Sequence, residues 1–308
     1  KLGINLFLQN LLPKCSRFYS YYKMKNIFHL IITAGLVSIL LVCCQSQEGK
    51  KQTESLYGKQ IVAIGNSITA PKDSWAWITA QHFDMELTNL AVSGAQWTDY
   101  QGTTVDTNPK PVYDGVHTNN VISNQVYRFL QLIVPEGEII SEAEREKFHT
   151  STPAPLTGLK TKNSTFDPTI VIISCGTNDS SNGKPIGDPS ELDKPYQEAD
   201  RKTLYGAINW AVSIIRKYSP DTEIVLLTPI QRSSHSQKLP MFVDAILLAG
   251  EKLNCPAINM YEESGITEAV EAKEHKYLYD GLHPNALGQQ LMGEVVIKHL
   301  IDLYENKQ

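Results

Sequence analysis

The stretch DGLHPN, residues 280 to 285, sets an aspartate and a histidine three positions apart, with a glycine between them and a proline directly after. At that spacing Asp280 can accept from one imidazole nitrogen of His283, which leaves the other nitrogen to take a proton from a hydroxyl. Such a pair is half of an activated-nucleophile arrangement and needs a serine elsewhere in the chain. Without that serine it is a histidine near a helix start with a surface carboxylate beside it.

The candidate partners stand where short apolar runs end. In AIGNSIT, residues 63 to 69, Ser67 falls just past such a run, although a serine near a helix start also serves as an N-cap. In NLAVSGA, residues 89 to 95, Gly94 could bring its backbone N–H to an anionic oxygen with no side chain intervening, or could be an ordinary turn glycine. In CGTNDS, residues 175 to 180, the Asn178 amide could donate to the same oxygen, while Asn-Asp after Gly is also common turn chemistry. Trp97 and Tyr100 follow Gly94 closely and could stack on a sugar face or simply pack.

These residues are useful together only if the fold gathers them. Five runs read as strands: 60–65, 86–92, 169–174, 222–228 and 257–261. TIVIIS and TEIVLL within them are continuous apolar runs, the pattern of strands buried on both faces of a parallel sheet. Helical patterns lie between them at 74–83, 200–218, 241–253 and 285–304. The stretch 95–167 is too long for a plain connection. It holds one amphipathic helix in which Val121, Ile122, Val126, Phe129, Leu130 and Ile133 recur at helical spacing. The alternation implies an α/β fold: a three-layer α/β/α sandwich on a central, mostly five-stranded parallel sheet with right-handed crossovers. Ligands of such sheets bind at the carboxyl ends of the strands, where all four motifs fall.

Composition narrows the field further. The 308 residues are 42% hydrophobic and 20% charged with a net charge of −5, which excludes a disordered chain and argues against a nucleic-acid binder. The eight histidines show no paired-ligand spacing, so neither a metal nor another cofactor is expected. At the N-terminus, Met24-Lys25-Asn26 precedes an apolar run from Ile27 to Val42 that stops at Cys43-Cys44 and turns polar, the layout of a signal peptide. LVCC resembles a bacterial lipobox, which implies lipidation at Cys44, with Cys43 as the alternative. An uncleaved membrane anchor is the other reading, although sixteen residues are short for a span. The expected organisation is an upstream extension at 1–23, a lipoprotein signal peptide at 24–44, a polar tether at 45–57 and one catalytic domain at 58–308. Cys175 and Cys255 each lie beside a strand and are expected as free thiols.

In order and in content, GNSIT, the glycine of AVSGA, GTND and DGLHPN resemble the four blocks of the SGNH, or GDSL-type, hydrolases. The resemblance runs from about Lys59 to Leu300 and implies a flavodoxin-like α/β sandwich and a serine esterase. It implies Ser67 as nucleophile, His283 as general base and Asp280 as its orienting acid, with the Ser67 and Gly94 N–H groups and the Asn178 amide forming the oxyanion hole. The family's Gly-Asp-Ser is Gly65-Asn66-Ser67 here, a change expected to keep local hydrogen bonds while removing a charge. No long apolar acyl tunnel is visible, so the expected substrate is a small acyl ester, acetyl above all, on a carbohydrate, met in the cell envelope by a lipid-anchored enzyme. The same residues could serve a lipase, lysophospholipase or thioesterase, and a non-catalytic glycan-binding lipoprotein could keep the fold.

Overall fold

The structure is a computed structural model that describes residues 56–99, 121–133, 166–233 and 237–305. Five strands, β1 (Gln60–Gly65), β2 (Glu86–Asn89), β3 (Ile170–Ser174), β4 (Glu223–Leu227) and β5 (Ala257–Ile258), pair in the order β2-β1-β3-β4-β5, every pair parallel. The helices are α1 (Trp75–His82), α2 (Ile122–Ile133), α3 (Thr177–Ser181), α4 (Leu204–Tyr218), α5 (Leu239–Lys252), α6 (Met260–Glu263), α7 (Glu268–Glu274) and α8 (Ala286–Glu305).

Successive side chains of a strand point to opposite faces, so a strand without polar alternation must be covered on both. β1 sends Val62 and Ile64 into one core and Ile61 and Ala63 into another, and β3 divides Val171 and Ile173 from Ile170 and Ile172 in the same way. The first core is closed by residues of α2, α4 and α5, the second by residues of α1 and α8, which makes the three layers. Gly65 lies opposite Ser174, and Ser174 opposite Leu227, so β1, β3 and β4 end level and their outgoing loops share one rim.

Several boundaries differ from the sequence reading. β2 stops at Asn89, whose side chain accepts from Ala91 N–H at 3.0 Å and turns the chain, although Leu90 and Val92 still donate to Ala63 O and Gly65 O of β1. β5 has only two residues. α4 starts at Leu204, where the Thr203 hydroxyl accepts from Gly206 N–H, and α5 starts at Leu239 with a proline in its first turn, where the missing N–H costs nothing. Leu56, the first described residue, is fully buried, and Gly58 N–H donates to Phe83 O, so the last two residues of the expected tether pack with the domain. Cys175 and Cys255 are free and buried. The expected extension, signal peptide and Cys44 lie outside the described residues, as does Tyr100. Among the described residues no helix is long and apolar enough to cross a membrane.

Candidate active site

Gly65 closes β1 because there is no room there for a side chain. A Cβ would stand 2.6 Å from Ser174 O and 2.7 Å from Thr69 Oγ1, so the close approach of β1 to β3 demands glycine, rather than a turn needing its flexibility. The next residue, Asn66, is buried and accepts from Ile68 N–H at 2.9 Å through its side chain, while its carbonyl accepts from Thr69 and Ala70 N–H. These bonds make the tight turn that presents Ser67. Asn66 thus keeps the local hydrogen bonds that the asparagine was expected to keep.

Ser67 Oγ lies 2.8 Å from His283 Nε2, and His283 Nδ1 lies 2.7 Å from Asp280 Oδ2. A carboxylate can only accept, so Nδ1 donates to Asp280 and Nε2 is left to accept from the serine hydroxyl. Asp280 Oδ1 also accepts from His283 N–H at 2.7 Å and Leu282 N–H at 3.0 Å. Burial works to raise the Asp280 carboxyl. The bonds from the His283 backbone and imidazole and from Leu282 N–H, with the imidazole's charge, outweigh it and hold the group below the usual carboxylate range. Gly281, at φ +81°, gives the turn its left-handed step.

Asn178 sits in the first turn of α3 at the end of β3, part-buried, and its Nδ2 donates to Ala95 O at 2.7 Å. That bond ties the asparagine to the residue after Gly94, which has φ +78° and open space where a Cβ would be. Asp179, fully buried, secures the same loop further on, accepting from Trp97 N–H at 2.9 Å and from Thr98 N–H and hydroxyl at 3.0 Å. Burial raises the Asp179 carboxyl above its ordinary value, against the pull of these donors. GTND therefore does more than turn the chain: the Asn178 and Asp179 side chains both hold the Gly94 loop. Burial first, then the charge of Asp179, push the neighbouring Cys175 thiol well up, so it stays protonated and is no rival nucleophile.

Of the two readings open for Trp97, stacking on a sugar or packing, the structure bears out packing. Trp97 is 1% exposed and packed in the first core, so it presents no face to a sugar. The residue before it, Gln96, accepts from Ile122 N–H at the start of α2, and Trp97 packs into the core that α2 helps close. Among the described residues, the exposed aromatic beside His283 is Tyr279, 69% exposed, with its ring stacked on the imidazole at 5.6 Å and 15°. Its only sequence signal was adjacency to Asp280.

Two buried amides also escaped the sequence reading. Gln125 of α2 accepts from Gly65 N–H and donates to Gly65 O, both at 2.8 Å, clamping the residue two before Ser67. Gln289 of α8 donates to Ile68 O at 2.9 Å and accepts from Trp75 N–H at 2.8 Å, holding the far side of the same turn against α1. A glutamine in an amphipathic helix ordinarily faces water, and only the tertiary contact shows otherwise. A groove of about 670 Å³ between α1 and α8, lined by Ile78, His82, Glu294 and Ile297 among others, includes none of these residues.

Residues 150–291 match the model of the GDSL-like lipase/acylhydrolase family. That span carries Asn178, Asp280 and His283, while Ser67 and Gly94 lie upstream of it and reach the same rim through the sheet. No curated protein matches the chain. Among solved structures, a protein from Lactobacillus plantarum is 17% identical with a TM-score of 0.51, covering 79% of this chain and 97% of its own. A possible lipase from Chitinophaga pinensis is likewise 17% identical with a TM-score of 0.51, covering 79% of this chain and 98% of that one. At such identities the likeness is one of fold, a parallel five-stranded sheet flanked by helices. The family match over residues 150–291, in a chain that shares the fold of these structures, supports a place among the GDSL-like, or SGNH, ester hydrolases.

Proposed function

We propose that this hydrolase is a serine esterase that removes a small acyl group, acetyl, from a carbohydrate, working in the cell envelope from a lipid anchor on Cys44. The reading rests above all on the continuous hydrogen-bond chain from Ser67 Oγ through His283 to Asp280, at 2.8 and 2.7 Å. Ser67 attacks the ester carbonyl as its proton passes to His283 Nε2, and Asp280 holds the imidazole in the tautomer that can receive it. The oxygen becomes an anion, stabilised by the N–H groups of Ser67 and Gly94 and by the Asn178 amide. His283 returns the proton to the departing alcohol, leaving an acyl-enzyme that water opens by the same route in reverse.

The carbohydrate part of the reading draws on Tyr279, whose exposed ring beside His283 offers an apolar face of the kind that stacks on sugars. The envelope location draws on the apolar run that ends at Cys43-Cys44. Profiling p-nitrophenyl esters from acetyl to octanoyl tests the acyl preference. Activity should fall with chain length, and a rise toward octanoyl would favour a lipase instead. Acetate released from acetylated polysaccharides, with Ser67→Ala as the blank, tests the carrier. Failure of a fluorophosphonate probe to label Ser67 would support the non-catalytic reading.

A further inference from the structure

The loop leaving β4 carries Arg232, which is 9% exposed. Its Nη1 donates to Ser181 Oγ at 2.7 Å, and its Nε is buried with no hydrogen-bond partner. Burial pushes its pKa down, and among the described residues no carboxylate counters that effect. A guanidinium nevertheless keeps its proton at physiological pH. Buried charges in proteins are ordinarily paired, so an unpaired one stands out as a group kept for something that arrives later.

Two contacts fix where this charge sits. Ser181 is three residues beyond Asn178 on α3, and helix residues three apart share a face. The residue after Arg232, Ser233, donates to Gly281 O from its N–H at 2.9 Å and from its hydroxyl at 3.2 Å. Gly281 belongs to the turn that carries Asp280 and His283, and a Cβ there would fall 2.0 Å from Ser233 Oγ, so the two loops touch directly. The guanidinium is thereby anchored on the helix of Asn178, and the residue after it is bonded to the turn of His283, which puts Arg232 next to the rim that carries both.

We propose that Arg232 binds an anionic group, a carboxylate or a phosphate, on the alcohol side of the ester, which makes the substrate class an acylated acidic carbohydrate. The proposal rests on the esterase reading and deepens it. A small acyl group carries no charge, so the anion must belong to the carrier. The planar fork of a guanidinium suits both carboxylate and phosphate oxygens, whereas a neutral hexose leaves it unpaired.

Three acetylated methyl glycosides that differ in one group, a neutral hexoside, the matching uronoside and the matching sugar phosphate, provide the test, with p-nitrophenyl acetate as the measure of chemistry alone. In the native protein, kcat/KM on at least one anionic substrate should exceed that on the neutral one by roughly 10–100-fold, mostly through KM and less so at high salt. The leading anion identifies the source. In Arg232→Gln the ratio of charged to neutral substrate should fall toward one, and Arg232→Lys should recover only part of it. Equal kcat/KM on all three glycosides in the native protein overturns the proposal even if no variant folds. So does a ratio that survives in Arg232→Gln, and so does an equal loss on every substrate, which would make Arg232 a support of the reacting centre. If the native protein turned over no ester, including p-nitrophenyl acetate, the esterase reading would fail by itself. The anion site would then be judged by binding. The free uronoside or sugar phosphate should raise the melting temperature of the native protein and not that of Arg232→Gln, and the absence of a shift overturns it.

Discussion

Ser67 Oγ and His283 Nε2 lie 2.8 Å apart, and in the proposed mechanism they exchange one proton, so removing either would disable the same step. Ser67→Ala and His283→Ala should each abolish nearly all turnover, and the double variant should be little worse, because residues acting as one unit are strongly non-additive. An additive loss in initial rates would show that they act separately. The depressed pKa of Asp280 has a consequence for pH. A carboxyl held below its unfolded value favours the folded state above the ordinary carboxyl range, and that contribution disappears as pH falls through the depressed value. Asp280 therefore stays ionised through the mildly acid range, and the acid limb of log kcat/KM against pH should fall with a slope of about one. A slope near two would mean that Asp280 takes up its proton in the same range, against the depression of its pKa. If Asn178 serves in the proposed oxyanion hole, Asn178→Ala should lower kcat by roughly 10²–10³ with little change in KM, since the oxygen it would bond is anionic only in the transition state. Asn178 also ties down Ala95 at 2.7 Å, so circular dichroism and melting temperature must accompany the kinetics. A near-normal kcat in a stable variant would remove it from the oxyanion hole.

Among the elements, α2 is the instructive one. Its apolar stripe packs Ile122, Val126, Phe129 and Leu130 into the first core, and the same packing delivers Gln125 to Gly65, two residues before Ser67. Gln125→Leu keeps the bulk and deletes both bonds. Gly65 O retains Val92 N–H, but Gly65 N–H is left buried without an acceptor, at a cost of about 1–3 kcal/mol. The expected outcome is a lower melting temperature together with reduced kcat, as the turn at Ser67 loses its support. Unchanged stability would mean that water or a neighbouring group replaces the amide. α3 works in the same way from the other side. In five residues it presents Asn178 toward Ala95, Asp179 toward Trp97 and Thr98, and Ser181 toward Arg232.

For the whole molecule, location and catalysis are separable claims. Cys44 lies in sequence ahead of a domain whose first described residue is Leu56. Cys44→Ser in the full chain should shift the protein from the membrane to the soluble fraction while leaving p-nitrophenyl acetate hydrolysis intact. Unchanged partitioning would eliminate Cys44 as the lipid site and turn attention to Cys43 or an uncleaved anchor.

The parallel sheet, its two covered faces and the four motifs could be read in one dimension, because each depends on local chemistry: continuous apolar runs for strands buried on both sides, glycine and asparagine at strand ends, and a three-residue spacing that lets Asp280 reach His283. Ser67 could be named because it follows the first strand, and level strand ends place it near residues 111 and 216 positions later. What the sequence could not decide is which side chains the packing would take from water. Trp97 looked available for a ligand and is in the core, whereas Tyr279 is at the surface against His283. Gln125 and Gln289 looked like solvent-facing helix residues and are clamps on the turn at Ser67. Burial and partnership are properties of surfaces brought together from distant parts of the chain. The charge of Arg232 could be counted from sequence, but its isolation at the rim appeared only when β4, α3 and the His283 turn were in contact.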